Sequence, residues 1–353
     1  MNENRFYLDI HAIQTLPPSN VNRDDTGSPK TAIYGGVRRA RVSSQSWKRA
    51  MRQYFLNESA DSLGVRSLDV VRYLAERIMA ADPSVPEEKA VQMSEKMFND
   101  AGIKTKDHKA KALFFLGKKQ ADLLAEAALR GESDKQKIKQ IFCNNPAIDI
   151  ALFGRMVADD PSLNEDASAQ VAHAISTHEV RTEFDYYTAV DDLAPEDNAG
   201  AGMIGTIEFN SSTLYRYANV AVHELVRQLG SKSAAIDAAK LFIQAFADSM
   251  PTGKSNTFAN ETLPQMLMIN IRQDRPVNLV TAYEKPVRSN SGNVEESIRR
   301  LFDEVAKTEK FVQAPLKTLY VVDRDVVKPE WAVEEGSITA LLNDFAQIAE
   351  DVL

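Results

Sequence analysis

Trp47, Ala50, Met51, Tyr54 and Phe55 fall at i, i+3, i+4, i+7 and i+8, the stripe that a helix buries, and Ser43-Ser44 ahead of them supplies a cap for a helix running to about Asn57. The other side of that helix carries Gln45, Lys48, Arg49 and Arg52 at i, i+3, i+4 and i+7, so three cations share a face with no acid among them. Upstream, Phe6 to Ile13 alternates loosely and is rich in strand formers, which predicts a strand buried mainly on one face and ending at Pro17-Pro18. Ser19 to Tyr34 has few apolar anchors and reads as a long exposed loop, and Val37 to Val42 as a short strand.

Residues 61–145 are helix-rich, with periodic stretches near 66–81, 86–99, 108–130 and 134–143, and read as a helical insertion. The pattern then predicts a strand over 148–153 and a helix over 166–178. An acidic segment with proline and glycine, from Glu183 to Gly205, lacks core periodicity and is expected to project. Strands over 203–209 and 213–220 would form a hairpin through Asn210-Ser211-Ser212. A helix near 231–248, a strand at 265–271, a helix at 295–307, a strand at 318–322 and a helix at 337–352 complete the pattern. Strands separated by helices, with early and late strands able to meet in one sheet, fit an α+β sandwich of ferredoxin-like type.

Composition narrows the chemistry. The 353 residues hold one cysteine, Cys143, which excludes an intramolecular disulfide and a cysteine-rich zinc site. The absence of an apolar run of about 18 residues, and an N-terminus without a signal-peptide layout, point to a cytoplasmic protein with no membrane partner. A net charge of −8 argues against a surface coated in nucleic acid, yet the charge is segregated. Arg38, Arg39, Arg41, Lys48, Arg49 and Arg52 follow one another without an acid, while Glu183, Asp185, Asp191, Asp192, Glu196 and Asp197 crowd together elsewhere. Phosphodiesters are bound by Arg and Lys with Ser, Gln and backbone amides in support, which is the mixture on the basic helix. These residues alone leave both a nucleic acid and an acidic protein open as its partner.

Other signals are weaker. Gly200 to Gly205 matches G-x-G-x-x-G, but an acidic loop precedes it and a strand follows, the wrong surroundings for a dinucleotide. Gly253-Lys254-Ser255 looks like the end of a P-loop, yet Asp248 stands where the first glycine belongs, so it reads as a turn. His11, His108, His173, His178 and His223 show no metal-ligand spacing, with His178 read as packed and hydrogen-bonded on a helix face, and Asp191-Asp192 lack companion ligands. No metal, no cofactor and no catalytic residue is expected. The lysines at 104–111, 118–119 and 135–139 read as solvated helix surface.

Asn22-Arg23-Asp24-Asp25, Lys30, Ala32-Ile33-Tyr34-Gly35-Gly36 and the run from Arg38 to Arg52 resemble the signature of the CasC-type backbone subunit of the type I-E CRISPR Cascade complex. Further matches lie at Asp149–Met156, Ala172–His178, Thr188–Leu193, Tyr215–Asn219 and Ala282–Lys285. The resemblance implies a hand-shaped, non-catalytic subunit. Its palm would be a modified RNA-recognition fold (1–60 and 146–353), its helical fingers 61–145 and its thumb 183–214. Copies would stack along a CRISPR RNA beside other Cascade subunits, offer the guide to target DNA, and leave cleavage to a recruited helicase-nuclease.

By the same resemblance Arg23, Lys30, Ser43, Gln45, Lys48, Arg49 and Arg52 would hold the guide backbone. Met156 and Tyr187 would lie against its bases, since a thioether and a flat ring stack on any base. Lys135, Lys137 and Lys139 would touch DNA. The chain departs from the familiar pattern at Tyr186-Tyr187, where a Trp-Phe pair also occurs, and at Pro195. The alternative is a metal-dependent ribonuclease like the type III backbone subunits, with Asp24, Asp25, Asp191 and Asp192 as its carboxylates.

Overall fold

Along β1 (Tyr7–Ser19), Leu8, Ile10 and Ala12 point to one side of a sheet, and Asp9, His11 and Ile13 to the other. The computed structural model describes residues 5–59, 62–189 and 204–353. After β1 come β2 (Thr31–Tyr34), β3 (Val37–Val42), helix α1 (Ser44–Ser59), β4 (Gly64–Ser67), α2 (Val70–Ala81), α3 (Glu87–Asp100), β5 (Thr105–Lys106), β6 (Lys109–Ala110) and β7 (Phe114–Gly117). Then follow α4 (Lys118–Leu129), α5 (Lys135–Cys143), α6 (Ile148–Phe153), β8 (Ala169–Val171), β9 (Ala174–Ser176), β10 (Glu183–Thr188), β11 (Ile204–Ala221), α7 (Val222–Leu229) and α8 (Lys232–Asp248). The chain ends with α9 (Ser255–Phe258), β12 (Met266–Arg272), α10 (Val294–Thr308), β13 (Lys317–Val322), β14 (Val333–Glu334) and α11 (Ile338–Val352).

Among the described residues one ten-stranded sheet dominates, in the order β14-β13-β12-β1-β11-β9-β3-β2, with β8 and β10 also paired to β11. It is antiparallel except for the parallel pair β13–β14, and β1 sits between β11 and β12. Leu8, Ile10, Ala218, Val220, Leu267 and Ile269 face a layer that includes Met51 and Phe55 of α1, Phe242 and Phe246 of α8, and Phe345 of α11. On the opposite face Ile13, Tyr215, Met266, Met268 and Tyr320 pack against Ile298, Leu301 and Val305 of α10. The architecture is thus a mixed α+β fold in which the sheet is covered on both faces. Residues 70–142 assemble a separate apolar cluster around Leu74, Phe98, Leu124 and Phe142, which Val157 and Leu163 join. No helix among the described residues is long and apolar enough to cross a membrane.

Several elements differ from the sequence pattern. Ile148–Phe153 is a helix, not a strand. A short apolar run does not by itself separate the two, and here Asp149 fixes the outcome by turning inward to bond Arg52 and the amide of Gly64. The expected helix over 166–178 is instead β8 and β9, because both are recruited by the long strand β11. Nor is there a hairpin at Asn210-Ser211-Ser212: β11 runs through without turning, and Asn210 and Ser212 are buried opposite β1. Pro17-Pro18 does not end β1 either. The register shifts between Leu16 and Ser19, and at such a bulge the missing proline N–H costs no ladder bond. The exposed-loop reading of 19–34 also changes, since it contains β2 and a bridge between Arg23 and Pro29. The helix-rich 61–145 includes the strand pairs β4–β7 and β5–β6.

Candidate nucleic-acid interface

The basic helix is held from beneath. Trp47, Met51 and Phe55 are buried, and the guanidinium of Arg216 lies 3.6 Å from the centre of the Trp47 ring, sandwiched against Phe246. Its start is tied to the preceding loop, because the amide of Ser43 donates to Asn22 Oδ1 at 2.9 Å and the Asn22 carbonyl accepts from the amide of Lys30 at 2.8 Å. Ser43 itself is buried at the helix entrance.

On the outer face Gln45 and Arg49 are exposed and Lys48 is half-buried. Lys48 Nζ stands 5.8 Å from the centre of the Phe153 ring, and burial lowers its pKa below the ordinary lysine value. Arg52 departs from the expectation of a free cation. Its Nε donates to Asp149 Oδ2 at 2.9 Å and its Nη2 to the Gly64 carbonyl at 3.1 Å, with the guanidinium 4.6 Å from the centre of the Phe115 ring. Asp149 is fully buried, and desolvation raises its pKa even beside Arg52.

These side chains line a trough built from three adjoining clefts. The first, about 720 Å³, is lined by Gln45, Lys48, Arg49, Arg52, Arg66 and Met156, and also by the acidic Glu165 and Asp166. The second, about 810 Å³, shares Arg49 and Gln53 with the first and adds Arg23 and Lys254. The third, about 410 Å³, shares Arg23 and Lys254 and reaches Tyr187. The trough therefore joins Met156 to Tyr187 along a row of cations, although those residues come from widely separated stretches of chain.

Both ends are shaped by backbone. Gly154 has φ +78°, and a Cβ there would stand 2.9 Å from the carbonyl of Glu165, so only glycine lets the chain turn out of α6. Arg155 then points inward, donating to the carbonyls of Phe142 at 2.8 Å and Leu163 at 3.0 Å. Next to that anchor Met156 is 84% exposed. At the far end Tyr187 of β10 pairs with Gly205 of β11, and its ring occupies the space a Cβ on Gly205 would take.

Other expected residues lie elsewhere. Lys30 lines none of the three clefts and sits near Arg41 and His173. On α5, Lys139 pairs with Asp160 and Lys137 with Glu132 at 3.7 Å, while Lys135 is exposed. The Asp24 carboxylate is turned into its own loop, accepting from Thr26 and Ser28, and the Thr26 hydroxyl chiefly lowers its pKa. Among the described residues no group of three His, Cys, Asp or Glu is placed to hold a metal ion. Asp191, Asp192, Pro195 and the first residues of the glycine motif at 200–205 lie outside the described residues. His178 is packed and hydrogen-bonded as expected, though beyond strand β9 and not on a helix: the amide of Thr213 donates to its Nε2 at 3.0 Å.

Lys254 and Arg66 are the trough cations that sequence reasoning missed. Gly253-Lys254-Ser255 does form a turn, but it packs so closely on the loop after β1 that a Cβ on Gly253 would collide with the Val21 carbonyl.

Two solved structures are similar over nearly the whole chain. One, described as a CRISPR RNA-guided surveillance complex, pre-nicking, aligns with a TM-score of 0.84 and 31% identity over 97% of this chain and 100% of that one. A second, described as a CRISPR RNA-guided surveillance complex, aligns with a TM-score of 0.66 and 28% identity over 97% and 99%. No curated protein matches. A family model matches residues 8–346, and the chain belongs to that family, the CT1975-like proteins.

Proposed function

We propose that this protein is a guide-holding backbone subunit of a CRISPR RNA-guided surveillance complex of the type I-E kind. The observation that carries the reading is the trough, in which cations lie between an exposed methionine at one end and an exposed tyrosine at the other. Phosphodiesters would run along Lys48, Arg49 and Arg23, contacts that fix position without reading sequence. Met156 and Tyr187 would lie against bases, which any sequence satisfies. The likeness to chains of RNA-guided complexes supports the same reading.

On this reading the sheet and its helices form an RNA-recognition-like palm, residues 61–145 the fingers and 183–214 the thumb. Several copies polymerise along the guide in the cytoplasm, joined by other Cascade subunits. The guide is held in pre-ordered segments so that base pairing, and not the protein, selects target DNA. Of the three lysines of α5, Lys135 and Lys137 are exposed and face that DNA on this reading. The subunit cuts nothing, and a recruited helicase-nuclease does.

The test is assembly on RNAs of arbitrary sequence and increasing length, followed by sedimentation in the presence of magnesium. The number of copies bound should rise with RNA length while the RNA stays intact. One copy per RNA at every length, or magnesium-dependent cleavage of the RNA, would overturn the reading.

A further inference from the structure

On the face of the sheet opposite α1, helix α10 and the loop between β13 and β14 border a groove of about 400 Å³ that shares no residue with the trough. Its bed is apolar. Phe302 meets the Trp331 ring edge-on with centroids 5.9 Å apart, yet Trp331 stays 41% exposed and Val327 88%. Contiguous apolar side chains left at a surface and rimmed by polar ones mark an interaction site.

The charges around this bed do not cancel. Arg299 is the one cation among the described residues that line it, against Glu295, Glu296, Asp303 and Asp325. Its guanidinium is already engaged, by Glu296 at 2.8 Å and Asp303 at 2.6 Å. Lys328, next to Val327 on the loop, reaches Glu334 at 2.9 Å instead. Glu295 and Asp325 are left exposed, with no ion pair and no side-chain hydrogen bond among the described residues.

An acidic rim over an apolar bed repels phosphate. It suits arginine and lysine, whose methylene stems lie on apolar surface and aromatic rings while their charged heads reach carboxylates. Glu295 to Ala306 covers about three turns of α10, roughly 16 Å, the length of about five residues of extended chain and more than a small organic cation fills. A second copy of this chain is the poorer occupant, since each copy carries a net charge of −8 and its densest run of cations, Arg38 to Arg52, leads into the trough. We infer that the groove docks a basic segment of a different protein, an extended stretch in which arginine or lysine stands beside apolar side chains. The inference goes beyond guide holding and does not depend on it.

The probe is a capped six-residue peptide of arginine and leucine in alternation, compared with its counterpart carrying glutamate for arginine. The chain has two tryptophans, and Trp47 is buried beneath α1, so a shift in the emission of the exposed Trp331 reports on the groove. The wild type should bind the arginine peptide and not the glutamate one. Glu295→Lys/Asp325→Lys, which breaks no contact of the fold, should keep its thermal midpoint and lose about tenfold or more in affinity. Val327→Ser should weaken binding as well, since the bed contributes alongside the rim. Equal affinity for the two peptides, an emission that neither peptide moves, or undiminished binding by the charge-reversed variant would overturn the inference. If the wild type self-associates without RNA and Glu295→Lys/Asp325→Lys stays monomeric, the occupant is a second copy and the assignment to a different protein falls. None of these readouts uses RNA, so failure of the groove is distinct from failure of the guide-holding reading.

Discussion

Arg52 shares a helix face with Lys48 and Arg49, yet its guanidinium is engaged by a buried carboxylate. Its first task is therefore to hold α1 onto α6. Arg52→Ala should destabilise the protein by about 3–5 kcal/mol near neutral pH, because Asp149 would be left as an unpaired buried charge. Burial raises the Asp149 pKa and Arg52 opposes that rise, so in the variant Asp149 takes up its proton at higher pH than in the wild type. The deficit should then shrink as pH falls and Asp149 becomes neutral, which chemical denaturation at several pH values would reveal. At the other end of the trough, Gly205→Ala would push a Cβ to within 2.4 Å of the Tyr187 ring. The ring is the mobile end of a side chain, so stability should change by less than about 1 kcal/mol. RNA binding should weaken toward the about 1–3 kcal/mol of one lost base stack, and affinity equal to wild type would show that Tyr187 does not stack. Sequence pattern identified the cations of this face. It did not reveal which of them is paired, because the partner lies ninety-seven positions away on an element whose type the pattern misread.

Among the elements, β1 carries a polar stripe whose behaviour is calculable. Asp9 Oδ1 accepts from the Tyr217 hydroxyl at 2.7 Å and Oδ2 from the amide of Val277 at 2.9 Å, while burial drives its pKa up to about 7. His11 lies 2.9 Å from the Tyr215 hydroxyl through Nδ1, and burial, reinforced by Arg272, drives its pKa down to about 3. The stabilising effect of Asp9 is complete below the usual carboxylate value and is lost as pH rises through about 7. That of His11 is complete above the usual imidazole value and is lost as pH falls through about 3. Between roughly pH 4 and 6.5 the two slopes oppose each other. Asp9→Asn should expose a stability that rises with pH in that window, and His11→Gln one that falls, each by up to about 1.4 kcal/mol per unit. Parallel profiles for both variants would show that neither group titrates as described.

The legibility of elements follows from the same sheet. α1, α8, α10 and α11 were readable because each repeats its apolar residues at helical spacing over four turns or more. β8 and β9 were not, since strands of three residues exist only through their pairing, with β11 and, for β9, also with β3. β11 itself was read as two strands because Asn210, Ser211 and Ser212 resemble a turn, although Asn210 and Ser212 are buried.

At the scale of the whole molecule the trough draws on the loop after β1, on α1, on the turn after α6, on β10 and on the turn before α9. A negative total charge and a basic stripe coexist because the stripe is local. Resemblance named most of the residues in it, and geometry adds Lys254 and Arg66, while Lys30 and Ser43 line none of the three clefts. The central claim is that this stripe tracks phosphates. The direct measurement is the affinity of wild type and of Lys48→Ala/Arg49→Ala for a long single-stranded RNA across a salt series, with Arg52 left intact to protect the fold. The wild type should bind arbitrary sequences with a steep salt dependence, and the variant should lose affinity and flatten the slope by about 1.4 per bound copy. Equal slopes and equal affinities for the two proteins would contradict the account.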